Sequence, residues 1–116
     1  MKTMRMGERF IMDIKQYQQY VKDGMRPIYQ DTQFAVLALV GEVGEVCDLI
    51  KKKSIYSEMT IDLVEKLKDE LGDVIWQWMA CVNSLGLTAE GVIEDNVAKL
   101  NARHGGATTD LTGGKR

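Results

Sequence analysis

An all-α domain, four-helix bundle-like and completed by homo-oligomerisation, is the fold class that this sequence predicts. Two observations predict the helices. Apolar residues recur at three- and four-residue steps along most of the chain, and no segment alternates in the manner of a strand. The sole proline, Pro27, and glycines at 24, 86, 105 and 106 fall between the periodic runs, where helices stop. Homo-oligomerisation follows from size. A chain of 116 residues is one domain's worth, and it buries only about two-thirds of its unfolded surface, so a lone monomer is marginal.

The first helix is expected from about Glu8 to Asp23, with Phe10, Ile14, Tyr17 and Val21 as its stripe. Gly24 and Pro27 bracket a turn. Asp31 then caps a long second helix reaching about Lys53. Its apolar positions, among them Phe34, Leu37, Ala38, Val43, Val46, Leu49 and Ile50, cover more than half its circumference, which predicts burial on several sides. Lys51, Lys52 and Lys53 place positive charge at the negative end of its dipole. Ser54 to Met59 form a polar link, and Thr60 caps a third helix ending before Gly86. That helix carries Ile61, Val64, Leu67, Leu71, Val74, Ile75, Trp78, Met79 and Val82, apolar well beyond one stripe. Thr88 caps a fourth helix with Val92, Ile93, Val97 and Leu100, stopped by Gly105 and Gly106. Residues 1–104 are read as a single all-α domain and residues 105–116 as a flexible tail, because Ala107 to Arg116 hold one apolar residue, Leu111.

Composition narrows the function. A formal net charge of −2 gives no electrostatic footprint for wrapping a nucleic acid polymer. No apolar run approaches the roughly 20 residues that span a bilayer, and the N-terminus lacks a signal-peptide pattern. Cys47 and Cys81 fall among helical apolar positions, read as reduced, buried thiols. The expectation is a cytoplasmic protein without membrane or nucleic-acid partners.

Chemistry enters with two acidic phrases, Gly-Glu-Val-Gly-Glu at 41–45 and Glu-Leu-Gly-Asp at 70–73. Glu42 with Glu45, and Glu70 with Asp73, stand three apart and so share a helix face. Acids three apart ordinarily belong to a solvated face. Here Leu39, Val40, Val43, Val46 and Leu49 surround one pair, and Leu71, Val74, Ile75 and Trp76 the other. If the faces meet, four carboxylates converge and repel unless cations hold them. Gly41, Gly44 and Gly72 lie beside the acids, and each costs about 0.5–1 kcal/mol relative to alanine in a helix interior. Close approach of a helix or ligand is the expected reason. An all-oxygen donor set favours Mg²⁺ or Mn²⁺ over zinc or copper. The Glu-x-x-His pairing of di-iron bundles is absent, since the lone histidine is His104. Magnesium shared with phosphate oxygens points to hydrolysis at a phosphate.

Four phrases together resemble a known family. Gly41-Glu42-Val43-Gly44-Glu45-Val46, Leu49-Ile50-Lys51-Lys52, Glu70-Leu71-Gly72-Asp73-Val74-Ile75-Trp76 and Asn96-Val97-Ala98-Lys99-Leu100-Asn101-Ala102-Arg103 are similar, in order and spacing, to the MazG-like members of the all-α NTP pyrophosphohydrolases. The resemblance covers about Phe34 to Arg103. It implies a Mg²⁺-dependent enzyme, with Mn²⁺ as a substitute. Such an enzyme cleaves nucleoside triphosphates between the α and β phosphates to a monophosphate and pyrophosphate, in housecleaning or pool control. It implies Glu42, Glu45, Glu70 and Asp73 as metal ligands, with Glu42 or Glu45 also orienting or deprotonating the attacking water. Asn96, Lys99 and Arg103 match the motif that contacts triphosphate or sugar, and Lys51, Lys52 and Lys53 are further phosphate candidates. The family also implies a dimer, or a tetramer built as a dimer of dimers, with substrate at a subunit interface and Lys99 or Arg103 acting across it. One position departs. Members often carry two adjacent glutamates where this chain has Gly41-Glu42, which bears on metal number and affinity.

Base recognition stays open at this level. Trp76, Trp78, Tyr56, Phe34 and Gln33 are candidates, and core packing is the ordinary role of such aromatics. Trp76 and Trp78, two apart on a helix, face different ways. A dUTP- or dCTP-preferring pyrophosphatase and a catalytically idle helical module are the alternatives, the second weakened by an intact acid set.

Overall fold

The computed structural model describes residues 12–52 and 58–104. Four α-helices and one 3₁₀ turn follow in order: α1 Ile14–Gly24, the turn Pro27–Gln30, α2 Thr32–Lys52, α3 Ile61–Ser84 and α4 Ala89–Arg103. The all-α expectation holds among the described residues, and no helix there is long and apolar enough to cross a membrane.

Local chemistry sets the helix starts. Asp31 Oδ1 accepts from the backbone N–H groups of Gln33 and Phe34 at 2.9 and 3.3 Å. Thr60 Oγ1 accepts from Leu63 N–H, and Thr88 Oγ1 from Gly91 N–H, both at 3.1 Å. Each bond satisfies a donor that a helix start leaves unpaired. The first helix differs from its expected span. Asp13 and Gln16 form a reciprocal capping box, at 2.7 and 2.9 Å, which fixes the start at Ile14 instead of Glu8. Glu8 and Phe10 lie outside the described residues, as do Lys53 and most of the link after it, and the tail from Gly105. Gly86, at φ +70°, ends α3 in the left-handed region that glycine tolerates.

Helices α2 and α3 form the central pair and run antiparallel. Tyr29, just before α2, meets Trp76 and Gln77, whereas Glu42, three turns on, meets Asp73 and Glu70. Their seam repeats in steps of four and three. Ala35, Leu39, Glu42, Val46 and Leu49 face Leu63, Leu67, Glu70, Val74, Gln77 and Cys81, and all of them are buried or half-buried. That is a two-helix coiled-coil seam. One residue on from each seam position the side chains are mostly exposed, including Val36, Val40, Val43, Cys47 and Ile50 of α2. The expectation that α2 is buried on several sides is therefore corrected: among the described residues one face is covered. Cys47 is likewise exposed, and only Cys81 is buried. Nor do the glycines mark close packing inside the protomer, since a Cβ at Gly41, Gly44 or Gly72 would meet nothing within 4 Å.

A small core joins α1 to this pair. Val21, Tyr29, Ala35, Met79, Ala80, Cys81, Val82 and Ala89 are buried together. Gln18 fastens the arrangement. Its Nε2 donates to Asn83 Oδ1 at 2.8 Å and to the Leu87 carbonyl at 2.9 Å, and its Oε1 accepts from Ala89 N–H at 2.9 Å. Asn83 Nδ2 returns a bond to the Gln18 carbonyl at 3.3 Å. One side chain of α1 thus ties down the end of α3, the turn and the first residue of α4. Gln18→Ala should lower the urea midpoint by the equivalent of about 1–3 kcal/mol with an unchanged m-value, because it strands partly buried donors and acceptors. Retention of wild-type stability would show that the network is incidental.

Candidate metal centre

The acids come together because of where they fall in the seam. Glu42 and Glu70 occupy seam positions that neighbouring turns fill with Leu39, Val46, Leu67 and Val74, so helix packing itself brings the two carboxylates face to face. Asp73, three residues after Glu70, projects from the same side of α3. One oxygen from each of Glu42, Glu70 and Asp73 lies within 4.8 Å of the others. Glu45 does not join that trio. It stands exposed one turn further along α2, at the edge of the group.

Electrostatics register the crowding. Burial first, then the charges of Asp73, Glu70 and Glu45, holds the Glu42 carboxyl above its ordinary 4.5. Glu70 is raised from 4.5 for the same reason, by desolvation and then by Asp73 and Glu45. No hydrogen bond or ion pair among the described residues brings a lysine or arginine to the trio. The donor set fits a hard divalent cation. All three donors are carboxylate oxygens, and ligand distances of about 2.0–2.1 Å hold oxygens within roughly 4.2 Å, so only a slight closing of side chains is needed.

A second wall comes from α1, which the sequence reading left without a functional role. Tyr17 lies near enough to the acids that Asp73, after burial and Tyr20, helps to raise its phenol above 10.0. Beside it, Gln16, Gln19, Tyr20 and Asp23 line a cleft of about 610 Å³ closed by Trp76. These α1 residues recur at helical spacing along one polar face, the signal that would have marked them. Trp76 sits one turn after Asp73, so the cleft adjoins the acids. Gln19 Nε2 donates to Asp23 Oδ1 at 2.7 Å within it.

The other expected site residues are placed unevenly. Both tryptophans pack against the core, and of the two Trp76 also lines the cleft. Phe34 is a core contact, edge-on to Tyr29 at 5.1 Å. Lys52 Nζ pairs with Asp48 at 2.9 Å, and Lys51 is exposed. Lys53 and Tyr56 lie outside the described residues. Asn96, Lys99 and Arg103 are exposed on α4, which packs on α1, and no described hydrogen bond or ion pair joins them to the acids.

Comparison with known proteins agrees with this geometry. A family model of the MazG nucleotide pyrophosphohydrolase domain matches residues 30–107. The Gene 37 protein of Mycobacterium phage L5 is 32% identical over 72 residues, which span 60% of this chain and 63% of that protein. The crystal structure of iMazG from Vibrio DAT 722 superposes with a TM-score of 0.59 at 25% identity, covering 78% of this chain and 96% of that one. The match runs across both acidic phrases, the helix pair that carries them and α4, and the chain belongs to the MazG nucleotide pyrophosphohydrolase domain family.

Proposed function

We propose that this protein is a Mg²⁺-dependent nucleoside triphosphate pyrophosphohydrolase, releasing a nucleoside monophosphate and pyrophosphate by cleavage between the α and β phosphates. The observation that carries the reading is the carboxylate trio Glu42, Glu70 and Asp73, set in the seam of a MazG domain. With Glu45 at its edge, the trio would hold Mg²⁺, or Mn²⁺ in its place. The bound ion supplies charge neutralisation for triphosphate oxygens and a lowered pKa for coordinated water. Of the two α2 glutamates, Glu45 is assigned the proton from the attacking water in this reading, because Glu42 belongs to the trio that would hold the metal.

Substrate recognition divides between two places. The cleft beside Trp76 suits a base, with the indole as stacking surface and Gln16, Gln19 and Asp23 as hydrogen-bonding groups. Asn96, Lys99 and Arg103 repeat at i, i+3 and i+7 along α4 and would meet triphosphate or sugar, with Lys51, Lys52 and Lys53 as further cations. Because α4 packs on α1 and no described bond joins its cations to the acids, these cations serve the neighbouring subunit of a dimer or tetramer in this reading. A nucleotide-pool or housecleaning role follows from the reaction class.

Pyrophosphate release, measured with and without Mg²⁺ across ribo- and deoxynucleoside triphosphates, tests the assignment. Wild-type protein should release pyrophosphate and monophosphate only with the metal, and Glu45→Gln should lower kcat by about 10²–10⁴-fold. Release of single phosphates would contradict the cleavage position.

The raised carboxyls of Glu42 and Glu70 give a pH signature. Folding favours their protonated forms, so the stability these groups add to metal-free protein is full below 4.5 and is lost as pH rises through their raised values. Metal must displace those protons. Calorimetric titration with Mg²⁺ over a series of pH values lowered towards 4.5, in buffers of different ionisation enthalpy, should therefore show an affinity that falls and a proton release that grows as pH is lowered. Binding without proton release would count against this ligand set.

A further inference from the structure

The cleft beside Trp76 presents its hydrogen-bonding groups in a set order, because local bonds already commit part of each amide along it. A carboxylate accepts and cannot donate, so the 2.7 Å bond at Asp23 Oδ1 must come from Gln19 Nε2. That bond orients the Gln19 amide and leaves its Oε1 as an acceptor, one turn from the second carboxylate oxygen of Asp23. Gln16 is committed the other way. Its Oε1 accepts from Asp13 N–H at 2.9 Å in the capping box, so its Nε2 is left to donate. Among the described residues nothing bonds to Gln16 Nε2, Gln19 Oε1 or Asp23 Oδ2. All three residues line the same cleft, with ring surface from Tyr20 and Trp76. From Gln16 to Asp23 the cleft therefore offers one donor and then two acceptors.

We propose that this cleft selects guanine, with Asp23 as the residue that determines the choice. The Watson–Crick edge of guanine carries the complementary order, the O6 acceptor followed by N1–H and the N2 amino group as adjacent donors. The other common bases lack it. Cytosine and adenine set one amino group beside a ring-nitrogen acceptor, and uracil and thymine set one N–H between two carbonyls. Any of these would turn an acceptor towards Asp23 or Gln19 Oε1, which repels as well as leaving a group unpaired. Two donors meeting a carboxylate, by contrast, make charge-assisted bonds, stronger than neutral ones. Size agrees, since a cleft of about 610 Å³ has room for a purine lying on the Trp76 indole. The inference rests on the proposed cleavage of nucleoside triphosphates and adds to it the base that is taken.

Two arms test it. The first is pyrophosphate release from dGTP, dITP, dATP, dCTP and dTTP with Mg²⁺, by wild type and Asp23→Asn. The base of dITP differs from that of dGTP only by lacking the N2 amino group. Wild type should favour dGTP over each of the others by roughly tenfold or more in kcat/KM, chiefly through KM. Asp23→Asn should bring the ratio of dGTP to dITP close to one. Equal use of dGTP and dITP by wild type overturns the proposal. So does a variant that slows every nucleotide alike and keeps the ratio, because Asp23 would then serve structure and not selection. The second arm needs no cleavage: quenching of tryptophan fluorescence by dGMP and by dIMP on unmodified protein, where dGMP should bind roughly tenfold more tightly. If no triphosphate yields pyrophosphate while dGMP keeps that preference, the hydrolysis reading fails and the guanine site stands. If pyrophosphate is released but dGMP and dIMP bind alike, the guanine site fails and hydrolysis stands. Neither cleavage nor quenching removes both.

Discussion

The register of the α2–α3 seam is the constraint on which the rest depends. Steps of four and three place Ala35, Leu39, Val46 and Leu49 against Leu63, Leu67, Val74 and Cys81, and the same steps place Glu42 and Glu70 at core positions. Aliphatic layers on either side hold the helices at packing distance, so the backbones that carry the two carboxylates stay opposite one another. Apolar burial thereby confines negative charge. A one-residue slip of either helix would turn its glutamate about 100° out of the seam, and the trio with Asp73 would be lost. The energetic conflict between hydrophobic closure and carboxylate repulsion is local, and a divalent cation resolves it.

Around this seam the protomer has two unlike sides. Toward α1 lie Tyr17, the cleft and Trp76, a wall of aromatic and amide groups beside the acids. On the other side, one residue beyond the seam, lie aliphatic stripes with a single lysine. Gln18 is what keeps the first side assembled, because its amide reaches Asn83, Leu87 and Ala89 at once. The 3₁₀ turn contributes as well. Tyr29 stands edge-on to Trp76 at 5.5 Å and accepts a hydrogen bond from Gln77 Nε2 at 3.0 Å, which fixes the inner edge of the indole.

What the sequence discloses follows the range of each interaction. Caps at Asp31, Thr60 and Thr88 were legible because a side chain and its partner stand two or three residues apart. The pairing of the acids was legible because helical spacing determines which residues share a face. Glu45 stays outside the trio although it stands to Glu42 as Asp73 stands to Glu70, three residues on, so helical spacing alone could not tell the two apart. Gln18 was invisible: its partners are 65 to 71 residues away, and nothing local distinguishes it from Gln16 or Gln19. Exposure of Val36, Val40 and Cys47 was also hidden, since an apolar pattern states that a face needs covering but not which chain covers it. The glycines misled for a related reason. Their cost implies a use, and inside one protomer the space beside them is open.

The central claim, that this helix pair traps charge which a divalent cation relieves, is tested most directly by thermal unfolding of wild type and Glu70→Gln with and without Mg²⁺. Without metal, Glu70→Gln should melt above wild type because repulsion at the seam is reduced. With Mg²⁺, wild type should rise while the variant stays nearly still, so that their order reverses. If Glu70→Gln melts no higher than wild type in chelator and Mg²⁺ shifts neither protein, the carboxylates are an ordinary solvated face and the account of the seam as a metal centre fails.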